Sequence, residues 1–505
     1  MNTQRTAVVA ALSVALASAA PAASAQSADD LIRRLDRLEQ ENQDLRHEVE
    51  LLKLRSEQQV SPTKPVIASQ TAAAVLPSAT THANPSIQAS AQGTPVLTNS
   101  AYTYAMLDPT VVGKAKPLIL LEAKRDGKVA ARGLYIGASL IAMGDYQTSN
   151  FTDDFGYLMR HPGANHVGKT VSELVLHTAQ LQVTANVAPW VSAYAEVLYD
   201  PQQSFGAGSI TALSRNQLQL RRGYVLFGDL NKSPVYAMIG KIDSPFGQSN
   251  TVSPFTLSTD LHSFNGLSYG AMLGYSHNGL NIAVEAVQGG VAFRGLNTPV
   301  EGTNTPSKIN NFVVDANYTL SLDAAGRSLL VGASYERGSS FCQNYPVSHF
   351  GTCDAPNPAY AAYATLHWDR LLVKGAYAAT FNAMPGTFNP NPPLDIYPAH
   401  RIASFDVGAK YGIAKASLPI DLSLDYSALI AGPKGSPWRR QDQWVAGLAA
   451  FPLPSVKLFV ETVLVKGYLP FNFLTGGAPG EDLGTTESST HKNSKVLLVG
   501  VNAAL

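Results

Sequence analysis

The sequence predicts an all-β transmembrane barrel of about 16 antiparallel strands, preceded by a short α-helical coiled coil. Three observations carry this. From Gly133 onward, apolar and polar residues alternate in segment after segment. The connections between those segments are alternately long and short, and charged residues make up only 15% of the chain.

The alternation is clearest between Leu174 and Tyr199. Thr178, Gln180, Gln182, Thr184 and Asn186 interleave with Ala179, Leu181, Val183, Ala185 and Val187. That period of two belongs to a strand with unlike faces. Ala188-Pro189-Trp190 breaks the run, and Val191, Ala193, Ala195 and Val197 resume it around Ser192, Tyr194 and Glu196. A soluble hairpin and a membrane hairpin look alike locally. The choice rests on the number of hairpins and on their connections.

Composition narrows the classes. The 505 residues balance 37 Lys and Arg against 37 Asp and Glu, so no charge excess points to nucleic acid. No run of about twenty apolar residues follows the N-terminus, which argues against a helical membrane protein. Cys and His show no zinc spacing, and neither a metal nor a cofactor is expected.

Residues 1–25 read as a secretory signal: Arg5, an apolar Ala7–Ala20 and a small-residue site Ala23-Ser24-Ala25. An N-terminal anchor helix is the alternative. Residues 26–58 carry heptads, with Leu31, Leu38, Leu45 and Leu52 at d and Leu35, Asn42 and Val49 at a. Arg34–Glu39, Glu41–Arg46 and Glu48–Lys53 are the flanking pairs of a parallel homo-oligomer, and Asn42 would fix its register. A lone amphipathic helix is the other reading. Residues 59–117 turn to Pro, Ala, Ser and Thr without apolar period, the composition of a tether. Leu118–Leu121 and the turn Arg125-Asp126-Gly127 suggest a small hairpin before the barrel, which occupies 118–505.

Sixteen strands follow, at 133–146, 172–187, 190–199, 215–228, 235–243, 266–276, 280–288, 309–320, 328–337, 359–368, 371–380, 401–413, 419–429, 441–450, 456–466 and 494–504. Tight turns such as His277-Asn278-Gly279, Asp369-Arg370 and Pro452-Leu453-Pro454 alternate with long loops, as in outer-membrane barrels. Trp190, Tyr236, Tyr275, Tyr318, Trp368, Tyr411 and Phe451 lie near the tight turns. Tyr146, Tyr199, Tyr335, Tyr377 and Trp444 lie near the loops, as two interfacial girdles would.

Alternation also assigns faces. It places Glu196, Arg221, Lys241, Glu285, Asp315, Glu336, Lys374, Asp406, Lys410, Asp421, Asp425 and Glu461 on the inner wall of a water-filled lumen. Charge facing lipid is costly, which supports the same placement. Cys342 and Cys353 share one outer loop, where a disulfide is the default beyond the inner membrane. Free thiols or a metal pair are the alternatives.

A family likeness rests on Ile239-Gly240-Lys241-Ile242-Asp243-Ser244-Pro245-Phe246-Gly247, Ser253-Pro254-Phe255-Thr256-Leu257 and Gly274-Tyr275-Ser276-His277-Asn278-Gly279. This segment and the overall layout resemble the LbtU-type siderophore porins. The resemblance implies uptake of a ferric siderophore across the bacterial outer membrane, with the coiled coil in the periplasm. Phosphate-selective porins share a Pro-Phe-Gly element and an N-terminal coiled coil, so an anion or phosphate pore, or a general diffusion pore, is the alternative. General porins fold the loop after strand five into the barrel. By that resemblance Pro245, Phe246, Gly247 and Asp260 are constriction candidates, with an ordinary external loop as the other reading. The residues from Gly133 onward are too few for a plugged transporter, which needs a globular plug and about 22 strands.

Ser276-His277-Asn278 is similar to the residue set of outer-membrane phospholipase. Neighbours on a strand face opposite ways, however, and a nucleophile must reach its base, so no enzyme is expected. A tethering protein is a third class. The expected partners are outer-membrane lipid, a small solute and copies of the chain itself, with a trimer favoured.

Overall fold

A computed structural model describes residues 95–505 except 112–114, 160–167, 201–216, 249, 293–307, 343–355, 414–417, 471–473 and 477–483. The signal segment, the heptads with their seven core residues, most of the tether, and Cys353 lie outside the described residues.

A two-residue strand β1 (Val96–Leu97) precedes the barrel strands. These are β2 (Gly133–Ser149), β3 (Thr170–Ala188), β4 (Val191–Asp200), β5 (Gln217–Phe227), β6 (Val235–Asp243), β7 (Leu267–His277), β8 (Leu280–Ala292) and β9 (Ile309–Ser321). The second half comprises β10 (Ser328–Glu336), β11 (Ala359–Trp368), β12 (Leu371–Thr380), β13 (Ala403–Ile413), β14 (Ile420–Ile430), β15 (Arg440–Leu453), β16 (Val456–Tyr468) and β17 (Ser489–Ala504). Each pairs antiparallel with its neighbours in sequence, and β17 returns to β2 with Val499 opposite Gly144. The barrel is therefore closed, with sixteen strands from β2 to β17 and no open sheet edge. Every expected strand is present, with ends shifted by a few residues.

The tight turns follow from local chemistry. Asn278 (φ 50°) and Gly279 (φ 83°) join β7 to β8 as a two-residue turn with both φ positive, which Asn-Gly favours. Ser276 and His277 thus close a hairpin opposite Asn281 and Leu280. Asp369 (φ 54°) leads the turn between β11 and β12.

Burial alternates along the strands. In β16, Lys457, Phe459, Glu461, Val463 and Val465 are buried, while Leu458, Val460 and Leu464 are exposed. In a single closed barrel only the inside can bury a side chain. The outside shows Leu422, Leu424, Leu448, Val460, Leu497 and Val499 as one apolar band. Among the described residues, no helix is long and apolar enough to cross a membrane.

The segment before β2 departs from expectation. The end of the expected tether is α1 (Ser100–Leu107), and the expected hairpin is α2 (Lys116–Arg125). Asn99 caps α1 by accepting the Tyr102 N–H at 3.0 Å. Pro117 opens α2, and Lys124 and Arg125 close it at the negative end of its dipole. β1 pairs parallel with the start of β2, alongside the stretch that β17 does not cover. Both helices pack inside the barrel at its tight-turn end. Tyr102, Met106, Leu118, Leu120 and Leu121 share a core with Tyr135, Tyr194, Tyr224, Leu226 and Tyr236 of the wall. Tyr236, expected in the outer girdle, therefore points inward and is 2% exposed.

Candidate functional site

The barrel interior is filled from two sides. The first filler is the insert formed by β1, α1 and α2. Tyr102 Oη lies 3.0 Å from Thr184 Oγ1, and Gln182 donates to Thr103 Oγ1 at 3.2 Å. Gly137 makes this approach possible, since a Cβ there would lie 2.1 Å from Thr103 Oγ1. After α1, Asp108 accepts from Lys457 Nζ at 2.6 Å and from Asn502 at 3.3 Å. Asn186 donates to the Ala130 carbonyl at 2.8 Å, and Lys124 donates to Ser192 Oγ at 3.0 Å.

The second filler is the loop 244–266 between β6 and β7, which crosses to the opposite wall. Its short helix α3 (Thr259–Phe264) packs on β12, β13 and β14. Glu461 of β16 accepts the Phe255 N–H at 2.6 Å and the Thr256 N–H at 3.0 Å. Ser427 accepts the Thr259 N–H at 3.1 Å, and Gln443 donates to the Leu257 carbonyl at 2.9 Å. Phe255 stacks on Phe459 with centroids 5.2 Å apart and meets His177 edge-on at 4.8 Å. Pro254 lies against Gly447, where a Cβ would sit 2.4 Å from the proline ring. Asn250 donates to the Val111 carbonyl, so the two fillers touch.

Between them and the β2–β11 side of the wall remains a cavity of about 590 Å³. It runs from the tight-turn end, at Asn278 and Thr319, to the loop at Phe246 and Leu261. The expected open water column is thus reduced, among the described residues, to this cavity. Lys116, Arg125, Arg221 and Arg222 border it, against Glu122, Asp243 and Asp315.

Two adjacent arginines face this cavity because of a bulge. Glu196 pairs with Arg222 and Val197 with Leu220, leaving Arg221 as the extra residue. Such a bulge lets neighbouring side chains share a face and shifts the alternation beyond it. Leu218 and Leu220 accordingly face out, whereas Tyr224 and Leu226 are buried. Arg222 donates to both Glu196 oxygens at 2.8 Å and to Asp243 at 2.6 and 2.7 Å. His177 is the extra residue of a similar irregularity in β3, between the paired Leu176 and Thr178, and both His177 and Thr178 are buried. Beside the cavity, burial and then the neighbouring Arg222 bring the Lys116 ammonium down to about 8.

Of the twelve charges expected on the inner wall, Arg221 and Asp315 border the cavity. Glu196 lies behind Arg221 and Arg222. Lys241 donates to the Leu220 carbonyl at 3.0 Å. Asp315 accepts from Ser334 at 2.6 Å and Tyr363 at 2.7 Å, and Glu285 accepts from Ser268. Glu336 is buried, and Lys410 sits 3.5 Å from Asp421. Lys374 and Asp406 form a fully buried pair, and Thr251 of the loop donates to Asp425 at 3.1 Å. Asp260 on α3 is buried, and the removal of water pushes its carboxyl up to about 7.

Among the loop residues singled out from sequence, Phe246 is buried and packs 6.1 Å from Phe264. Pro245 lines the cavity, and the Gly247 N–H donates to Ser334 at 2.8 Å. Lys116, Glu122, Arg222 and Asp243 were missed. A readable signal existed for Arg222: the apolar outward positions change from even at Leu218 and Leu220 to odd at Val225 and Phe227. Cys342 ends a 3-10 turn, Ser340–Cys342.

No protein-family model and no curated protein sequence matches the chain. Solved structures similar to it include the outer membrane channel DcaP of Acinetobacter baumannii, at 15% identity and TM-score 0.41, covering 75% of this chain and 99% of that one. An anion-selective porin from Comamonas acidovorans matches at 10% identity and TM-score 0.46, covering 74% and 99%. OprB of Pseudomonas putida matches at 8% identity and TM-score 0.46, covering 76% and 97%.

Proposed function

We propose that the protein is an outer-membrane pore that admits a small polar solute through the passage between the insert, the loop 244–266 and the barrel wall. One observation carries this: a closed barrel is apolar outside and encloses a cavity of about 590 Å³ bordered by charged side chains. On this reading the long loops face outward, the tight turns face the periplasm, and the loop 244–266 is the constriction. The ferric siderophore is the solute implied by the likeness to LbtU-type porins.

A second reading, a general diffusion pore, draws on the near balance of charge. Four cationic and three acidic side chains border the cavity, and Arg222 is already satisfied by Glu196 and Asp243. The barrel is proposed to work as a homo-oligomer, with a trimer favoured, and a monomer band alone after crosslinking native membranes would remove that element.

Single-channel conductance in planar bilayers tests the function. Small, weakly selective steps are expected, and added ferric siderophore should block them if it is the solute. Block absent with conductance present would leave the general pore, and no conductance would end both readings.

A further inference from the structure

The apolar band ends sharply beside β15, β16 and β17. Tyr426, Trp444, Leu464, Lys495 and Thr148 follow one another as register partners across five strands. One step toward the long loops, Asp442, Lys466 and Asn493 form the next row. One step the other way, Leu424 and Leu497 belong to the exposed apolar band. Tyr426 and Trp444 stack with centroids 4.3 Å apart and make a firm floor at this boundary.

Arg439, Arg440, Lys466 and Lys495 surround an open pocket of about 1090 Å³ there, with Trp444 at its base. Asp442 is the carboxylate in this lining, and Arg440 already holds it at 2.6 Å. Among the described residues, the ammonium groups of Lys466 and Lys495 have no acidic partner. Unpaired cations that converge just above an apolar surface suit one kind of ligand: an anionic head whose tails lie on that surface. A second copy offering this same patch would set cation against cation.

We propose that this patch binds the phosphorylated head of a membrane lipid, with the acyl chains along Leu424, Leu464 and Leu497. The proposal rests on the membrane placement given above. The phosphate would take charge-assisted hydrogen bonds from Lys466, Lys495 and Arg439.

The test uses the purified full-length protein in dodecyl maltoside, titrated with diphosphoryl lipid A and with its dephosphorylated form, with bound lipid read by native mass spectrometry. The wild type should retain the phosphorylated form preferentially. The double variant Lys466→Gln/Lys495→Gln should bind it about 30-fold more weakly, with unchanged thermal unfolding. Equal retention by wild type and variant, or of both lipid forms, would overturn the proposal, as would Lys466→Cys copies that crosslink to one another through the patch. Insertion into phosphatidylcholine vesicles is measured in parallel. Insertion without lipid A preference removes this proposal alone, whereas failure to insert removes the pore reading as well.

Discussion

At the residue scale, Arg222 shows how the inner wall is held. Its guanidinium satisfies two carboxylates on neighbouring strands, holding Asp243 in a bidentate fork through Nε and Nη2 and both Glu196 oxygens through Nη1. Removing one partner of a buried ionic group costs far more than removing the whole group. Arg222→Gln should therefore lose about 3 kcal/mol of stability, and adding Glu196→Gln and Asp243→Asn should restore most of it. Urea unfolding in detergent reads both, and equal stability of the single and triple variants would contradict the account. Asp260 makes a different case. Its folded pKa of about 7 lies above the ordinary 3.8, so the folded protein holds the proton more tightly than the unfolded chain. The stability from this site is present below about pH 4 and is lost as the pH rises through 7. Asp260→Asn should flatten that slope in melting curves taken across the same window. Little of this was legible in the chain. Period two places Arg221 on the inside, but adjacent residues cannot share a face without a bulge, so Arg222 went unnamed.

At the element scale, the strands were legible because each carries its own two-faced pattern and its own turn chemistry. The insert was not. α1 has eight residues and buries Tyr102, Thr103, Met106 and Leu107 within a barrel, so it needs no single apolar stripe. Its place is set by Gly137, Thr184 and Lys457, which lie far away in sequence. The loop 244–266 is held in the same way by distant partners, above all Glu461. Glu461→Ala would strand the Phe255 and Thr256 amides, costing about 2 kcal/mol, and should loosen the loop. Single-channel conductance should then rise and flicker, and an unchanged trace would show that the loop does not limit flow. Widening from the other end is also expected. Gly137→Leu places a side chain where Thr103 sits, so α1 must leave its seat and conductance should increase.

At the scale of the whole molecule, the outer band and the filled interior impose different demands. Val499 is 54% exposed in the row Leu422, Leu448, Val460 and Val499, two steps inside the boundary at Trp444. Val499→Arg should cost about 2–4 kcal/mol in a bilayer and little in detergent, a contrast measurable by vesicle insertion against detergent melting. Equal effects in both would mean that the band does not face lipid. The sequence by itself determined the number of strands, their order, the alternation of loops and turns, and the apolar outer skin. Each of these is written locally, in a repeat of two and in residues that permit a tight turn. Only the tertiary structure decided what occupies the interior. Helix α1 and the crossing loop take their places through contacts with residues up to hundreds of positions away, and no local pattern records such partners.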